Sequence, residues 1–563
     1  MESVSIRMVS DVRPQWIAQM YPPKVGRDHL GLGSVSSDQI LPSLVPGINV
    51  LTVHPRYHSF YVFLLDEFWR SERPRSHSEW VRFYRPREFI FSVGAHLCDR
   101  PEHGDLRTIV GGQRTGPLAA PVSSEFDTAF EYIKSELGGY GLYYRSVIAE
   151  MGLIYPGGPG FPYPIDVPSE EGKKTAAAFR RAIQETTYYQ EYFEQDVVRV
   201  PYDVVVEYIR GACLCQLQRQ DAPDHRLVVD SFCHGGNVDS ADARRATLRF
   251  FLDLADQTDG HSISQDDFRQ LIYFGAAANG AKYHPRNEVM DTYKRWRLYQ
   301  AREYYAFALN ALWCHLCDVG LNLQGDLRPV PISEILNHMM IALDYARLAE
   351  LLDVEPPGLT PESDFIRLTR WLEALVGADG AAFDERCNLD SPVHEHKLYR
   401  LAIDPYAEPA AMAAGMLTVL ALITLRFGHP NLWMEPEWTI SKMGSDGRLS
   451  VDGFLRSIRH RIQRGSISIG EVTAWLLQDY VILQHHIIAT GKLPENTFRF
   501  QREGNRLSFF RLANRLDFTD SRFDAISTTV HELGFCGDFR LTSHDLTASG
   551  RELLERGDIQ WTS

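Results

Sequence analysis

Cysteine is scarce in this chain: the eight residues at 98, 213, 215, 233, 314, 317, 387 and 536 are spread over 563 positions. That is too thin for a disulfide framework, which small secreted domains build from dense cysteine arrays. The opening residues Met1 to Met8 contain no basic stretch followed by an apolar core and a small-residue cleavage site. No secretory signal is therefore expected, and the chain reads as cytoplasmic with free thiols. A long hydrophobic run is missing too. The nearest approach, Ala410 to Leu425, carries no charge but falls short of the about 20 apolar residues that a bilayer core requires. It predicts a helix buried on all sides and no membrane contact. No low-complexity tract occurs, and a content of 44% hydrophobic and 23% charged residues excludes a disordered or collagen-like chain. Positive charge is in the minority, with 58 Lys and Arg against 73 Asp and Glu for a net −15.

Specific catalytic motifs are absent as well. Gly111-Gly112 and Gly157-Gly158 are not followed by the Lys-Ser/Thr of a phosphate-cradling loop, and no strand precedes a GxGxxG, so nucleotide hydrolysis is not expected. Cys314-His315-Leu316-Cys317 has CxxC spacing without the second pair that a four-ligand zinc site needs. Its thiols share a helix face at i, i+3 and read as small apolar groups. His394-Glu395-His396 follows Pro392 and reads as a solvated loop. Cys98-Asp99-Arg100-Pro101-Glu102-His103 collects a thiol, carboxylates and an imidazole, but adjacency in sequence does not make a nucleophilic pair. His485-His486 reads as a core or interface pair. No metal or cofactor is expected, and catalytic residues are unassigned.

What is present is helical periodicity. A length of 563 residues predicts three or four domains. Apolar residues recur at helical spacing over 57–69, over 126–137 before Gly138-Gly139, and over 288–321, 335–352, 365–376 and 472–488. The stretch from Gly111 to Pro121 reads as a loop. Residues 496–511 alternate about Gly504-Asn505, a hairpin signal. The expected fold is mainly α and multidomain, a helical core with one or two α+β modules.

Those modules come from a pattern that occurs twice. Glu150-Met151-Gly152-Leu153-Ile154 closes a helix and enters a strand. A glycine loop follows, and Ser169-Glu170-Glu171-Gly172 opens the next helix. Near the other end, Glu532-Leu533-Gly534-Phe535 and Leu546-Thr547-Ala548-Ser549-Gly550 repeat the order. A glycine after a helix permits the left-handed cap, and Ser or Thr caps the next helix. At these residues the sequence resembles winged helix-turn-helix domains. The resemblance implies the organisation 1–122, an N-terminal α/irregular region; 123–195, a winged-helix-like domain; 196–440, a helical core; and 441–563, a basic helix-hairpin with a C-terminal winged-helix-like domain.

Charge is unevenly distributed. Residues 440–515 hold twelve Lys and Arg against six Asp and Glu, a positive segment in an acidic chain, as a phosphate-contacting surface would be. Arg456, Arg459, Arg461, Arg464, Arg499, Arg502 and Arg506 are the candidate DNA or RNA contacts, with Arg511 and Arg515 nearby. The helix at 523–533 carries no Lys or Arg, and the earlier copy only Arg145, so neither suits DNA reading alone. The reading is a non-catalytic, nucleic-acid-associated scaffold or regulatory protein with protein partners. General likeness points to prokaryotic anti-phage defence or a mobile element. Two alternatives stand beside it. One is a kleisin-like subunit bridging an SMC-type ATPase, although about 120 residues precede the first winged-helix copy. The other is a metal-dependent nuclease or other hydrolase with dispersed Asp, Glu and His.

Overall fold

The computed structural model describes residues 28–100, 108–119, 124–325, 328–377, 382–404, 408–427, 448–493, 495–510 and 517–561. Most of these residues are helical, and the strands among them form three small sheets. The fold is mainly α and multidomain, as the periodicity predicts. No helix among the described residues is long and apolar enough to cross a membrane. The chain divides into two compact units, neither continuous in sequence. One comprises Ser37–Gln300 and Asp520–Ser563; the other comprises the described parts of Met1–Ser36 and Ala301–Thr519.

The first unit is built on the helix Arg56–Arg70, buried from Arg56 to Phe68. A helix sunk on every side must satisfy its charges internally. Arg56 Nε lies 3.1 Å from Asp224 Oδ2, and Arg180 pairs with both Asp66 and Glu67. Aromatic rings fill the remaining space: Phe60 stacks on Phe91 at 4.0 Å, and Tyr57 meets Tyr144 at 4.8 Å. Helices His77–Ala95, Glu170–Ile183, Tyr202–Ala212, His225–His234 and Val238–Thr258 belong to the same unit.

Residues 126–137 are not the helix that their periodicity predicts. Glu125–Asp127 instead pairs antiparallel with Arg199–Pro201, and turns follow as far as Gly138. The apolar residues of this stretch are spent on tertiary contacts: Phe126 pairs with Val200 in the strand, and Tyr132 reaches the buried carboxylate of Glu88. Gly138-Gly139 opens the next helical segment and does not close one. The expected loop at Gly111–Pro121 contains a helical turn, Gly112–Thr115.

In the second unit the apolar helix Pro409–Phe427 is buried through its central turns, as its composition predicts. It packs against Glu395–Ile403, Tyr345–Leu352 and Phe365–Leu375. Its final arginine, Arg426, is 1% exposed and bonds Glu395 through both carboxylate oxygens, at 2.9 and 3.0 Å, and Asp384 at 2.9 Å. His394-Glu395-His396 is therefore no solvated loop: all three residues are buried. A buried guanidinium needs its counter-charge at hand, and His394 Nδ1 caps the helix by accepting from Lys397 N–H. The pattern over 335–352 resolves into two helices, Ile332–Ile341 and Tyr345–Leu352, because Asp344 caps the second. The expected hairpin forms from Phe500–Glu503 and Arg506–Phe509, with Val330–Pro331 adding a third strand beside Arg506–Phe509.

Candidate nucleic-acid interface and the repeated motif

The two segments that repeat the glycine and cap pattern fall in the same unit and share one hydrogen-bond set. In the first, Arg145–Glu150 ends at Gly152, whose φ of 72° is left-handed. Ile154–Tyr155 then pairs antiparallel with Val167–Pro168, and Glu170–Ile183 follows. In the second, Phe523–Glu532 ends at Gly534 with φ 74°. An antiparallel bridge joins Cys536 to Leu546, and Ala548–Arg556 follows.

Glycine at the fourth position of Ser169-Glu170-Glu171-Gly172 and of Thr547-Ala548-Ser549-Gly550 has a steric cause. A Cβ on Gly172 would lie 2.1 Å from the carbonyl oxygen of Leu153, and one on Gly550 would lie 1.9 Å from that of Phe535. Each motif also sends an equivalent glutamate, two residues before its glycine, to the same stretch of chain. Glu150 Oε2 accepts from Gly47 N–H at 2.9 Å, and Glu532 Oε1 lies 2.7 Å from His54 Nδ1. Two buried arginines hold that stretch by its carbonyls, Arg244 at Pro46 and Arg522 at Ile48. Burial pushes both guanidinium groups down to about 10.

The second motif helix presents little to solvent, whereas Arg145–Glu150 buries only Val147 and Ile148. Phe523, Ala525, Ile526, Ser527, Thr529, Val530 and Glu532 are all buried, and Arg145 is engaged by Asp166 at 2.7 Å. Phe523–Glu532, spent this way, cannot enter a groove.

The seven candidate arginines lie on two elements of the other unit. Helix Val451–Gln463 buries Val451, Phe454, Leu455 and Ile458 and turns Arg456 outward, with Arg459 half-buried one turn on. Arg456 pairs with Asp452 at 2.5 Å, and Arg461 lies over the Trp475 ring at 4.2 Å. Arg464 is exposed at the helix C-cap, where a cation complements the dipole. On the hairpin, Arg502 and Arg506 are exposed, with guanidinium bonds to the carbonyls of Gly504 and Pro329. Arg499 differs: it is half-buried, its Nε is shut off from solvent, and its backbone N–H donates to His485 Nε2. Arg511 and Arg515 lie outside the described residues, as does His103.

Sequence reasoning did not assemble two further constellations. Cys98, Cys213 and Cys215 bring their sulfurs within 4.8 Å of one another. Separately, Thr108 Oγ1 lies 3.4 Å from His54 Nε2, whose other ring nitrogen meets Glu532. Thr108 has a left-handed φ of 61°, uncommon for a β-branched residue. With Leu51, Tyr132 and Tyr143 it lines an open cleft of about 650 Å³. The signal for both sets was confined to residue type, because their members are remote in sequence. By contrast, His485 is buried and His486 half-buried against Phe500, as their apolar neighbours predict. Comparison with protein-family models, with curated proteins and with solved structures finds no match to this chain.

Proposed function

We propose that the protein is a non-catalytic, nucleic-acid-associated scaffold whose two repeated segments are winged-helix modules serving packing and partner contact. Phosphate contact falls instead to the arginine-bearing helix Val451–Gln463 and the hairpin Phe500–Phe509. The observation that carries this reading is the division of labour between the units. The motif helix Phe523–Glu532 is largely buried and Arg145 of the other is paired with Asp166, while Arg456, Arg464, Arg502 and Arg506 face outward from a segment of net positive charge in an acidic chain. Lys and Arg gain affinity for a polyanion by releasing condensed counterions. The setting suggested by general likeness is prokaryotic defence or a mobile element. Both repeats lie in one unit, an arrangement that lends the kleisin-like alternative no support.

The test is a gel shift with double- and single-stranded DNA and with RNA at two salt concentrations. Complex formation should weaken steeply with salt and be lost when Arg456, Arg464, Arg502 and Arg506 are replaced by Glu. Arg499 is left intact because its surroundings are internal. Absence of any complex at low salt overturns the reading.

A hydrolase is the second reading, favoured by the relay Thr108–His54–Glu532 at a cleft wall. An oriented imidazole beside a hydroxyl is the arrangement that activates a nucleophile. Turnover of ester or phosphodiester substrates abolished by His54→Gln and by Thr108→Val is its requirement.

A further inference from the structure

We propose that Cys98, Cys213 and Cys215 form a binding site for a thiophilic divalent cation of the zinc type, held by three thiolates with a fourth position open toward solvent. The site is independent of the nucleic-acid reading, since it lies in the unit that does not carry the arginine helix.

Two helices bring the sulfurs together. His77–Ala95 packs on Tyr202–Ala212, and the contact is close because Gly94 faces Val205 and Ile209. A Cβ at Gly94 would sit 3.1 Å from Val205 and 3.3 Å from Ile209. Cys98 follows the first helix, and Cys213 caps the second. Cys215 stands on the following turn, Leu214–Gln218. The turn is pinned from below by Arg56, whose guanidinium donates to the carbonyl of Cys213 and pairs with Asp224.

The spacing suits a metal. Cys98 Sγ and Cys215 Sγ are 3.8 Å apart, and two thiolates about 2.3 Å from a tetrahedral zinc are separated by about 3.8 Å. All three sulfurs lie within 4.8 Å of one another, so only a small contraction is needed. Cys213 and Cys215 are buried while Cys98 is half-exposed, which gives an ion a way in and leaves the open position on the Cys98 side. The surroundings suit thiolates as well. Gln216 Nε2 donates to Cys215 Sγ at 3.6 Å, the outer-shell contact that orients a ligand. Arg210 stands at the rim, held by Asp99 at 3.0 Å. Among the described residues this is the one group of three His, Cys, Asp or Glu side chains with ligand atoms so close.

The experiment titrates the reduced, metal-free full-length protein with Co²⁺ alone and follows the sulfur-to-cobalt charge-transfer absorption. One equivalent per chain is expected, displaced by Zn²⁺. Cys98→Ser, which changes the half-buried ligand and leaves both buried ones, should weaken Co²⁺ binding by more than the about 10- to 100-fold that loss of an outer-shell partner costs, while circular dichroism and the melting curve stay as in the parent. The double change Cys314→Ser and Cys317→Ser should leave the stoichiometry and the band unchanged. The proposal is overturned by absence of a charge-transfer band, or by a band that survives Cys98→Ser at full affinity. It is also overturned by a band lost with the Cys314/Cys317 change, or by a Cys98–Cys215 disulfide found by mass spectrometry in protein alkylated at lysis.

Discussion

Ser169 and Thr547 make the same three hydrogen bonds in two parts of one unit. Each hydroxyl donates to the carbonyl of the left-handed glycine, Gly152 or Gly534, at 2.7 Å. Each accepts from the N–H three residues on, Gly172 at 3.0 Å or Gly550 at 3.1 Å. Each backbone N–H returns to the residue after the glycine, Leu153 or Phe535, at 2.9 Å.

That identity predicts matched responses to mutation. Gly172→Ala and Gly550→Ala force a methyl group into a carbonyl oxygen, so each should cost more than about 2 kcal/mol. Ser169→Ala and Thr547→Ala remove a cap and should cost about 1 kcal/mol each. Urea denaturation of the four variants gives the comparison; a glycine change milder than its cap change contradicts the shared geometry.

Arg426 should be among the most sensitive residues of its unit. Its partners Glu395 and Asp384 would be left without their cation in Arg426→Ala, an uncompensated buried charge costing about 3–5 kcal/mol. Limited proteolysis is expected to cut within 382–427 far faster in this variant than in the parent. Equal digestion rates would show that the pair contributes little.

Stability should decline on mild acidification. Burial pushes the imidazoles of His29, His315 and His394 down to about 4, and that of His485 to about 3. As the pH drops below about 6.5 the unfolded chain takes up protons that the folded chain refuses. Stability from these groups is thus complete above that value and lost progressively toward pH 4. The unfolding free energy from urea titration should be lower at pH 5.5 than at pH 7.5, by about 1 kcal/mol per histidine.

His315 offers the sharpest form of that test. Burial alone lowers it, and its Nε2 has no hydrogen-bond partner among the described residues. His315→Leu removes a buried unsatisfied nitrogen, so it should stabilise the protein by about 1 kcal/mol at pH 7.5 and by more at pH 5.5. A destabilised variant with unchanged pH dependence would contradict the assignment.

Local elements were legible where one physical rule dominates. The helix after Met290, the apolar helix ending at Phe427 and the hairpin about Gly504-Asn505 follow from apolar period, composition and turn chemistry. The repeated glycines and caps were readable because a left-handed φ and an orphan N–H restrict residue choice. Residues 126–137 misled because Phe126 and Tyr132 satisfy a helical period while serving strand pairing and a buried carboxylate. Glu395 looked solvated because its partner stands 31 residues away. The three-sulfur cluster joins Cys98 to residues more than a hundred positions on, a meeting set by helix packing that no local pattern encodes. The arginine segment was visible as charge, yet only burial separates Arg499 from Arg502.

The discontinuity of the two units bears on the timing of synthesis. The unit built on Arg56–Arg70 includes Asp520–Ser563, so His54 waits for Glu532 until the whole intervening segment Ala301–Thr519 has been made. At about 5–20 residues per second, that interval lasts about 10–40 s. During it the nascent chain holds an incomplete core of phenylalanine and tyrosine. The other unit waits as well, for Leu30, whose carbonyl accepts from Gln484 Nε2, is separated from that partner by the whole of Ser37–Gln300. Emergence from the ribosome therefore leaves each unit open until a distant segment arrives, and Asp520–Ser563 completes the unit to which His54 belongs.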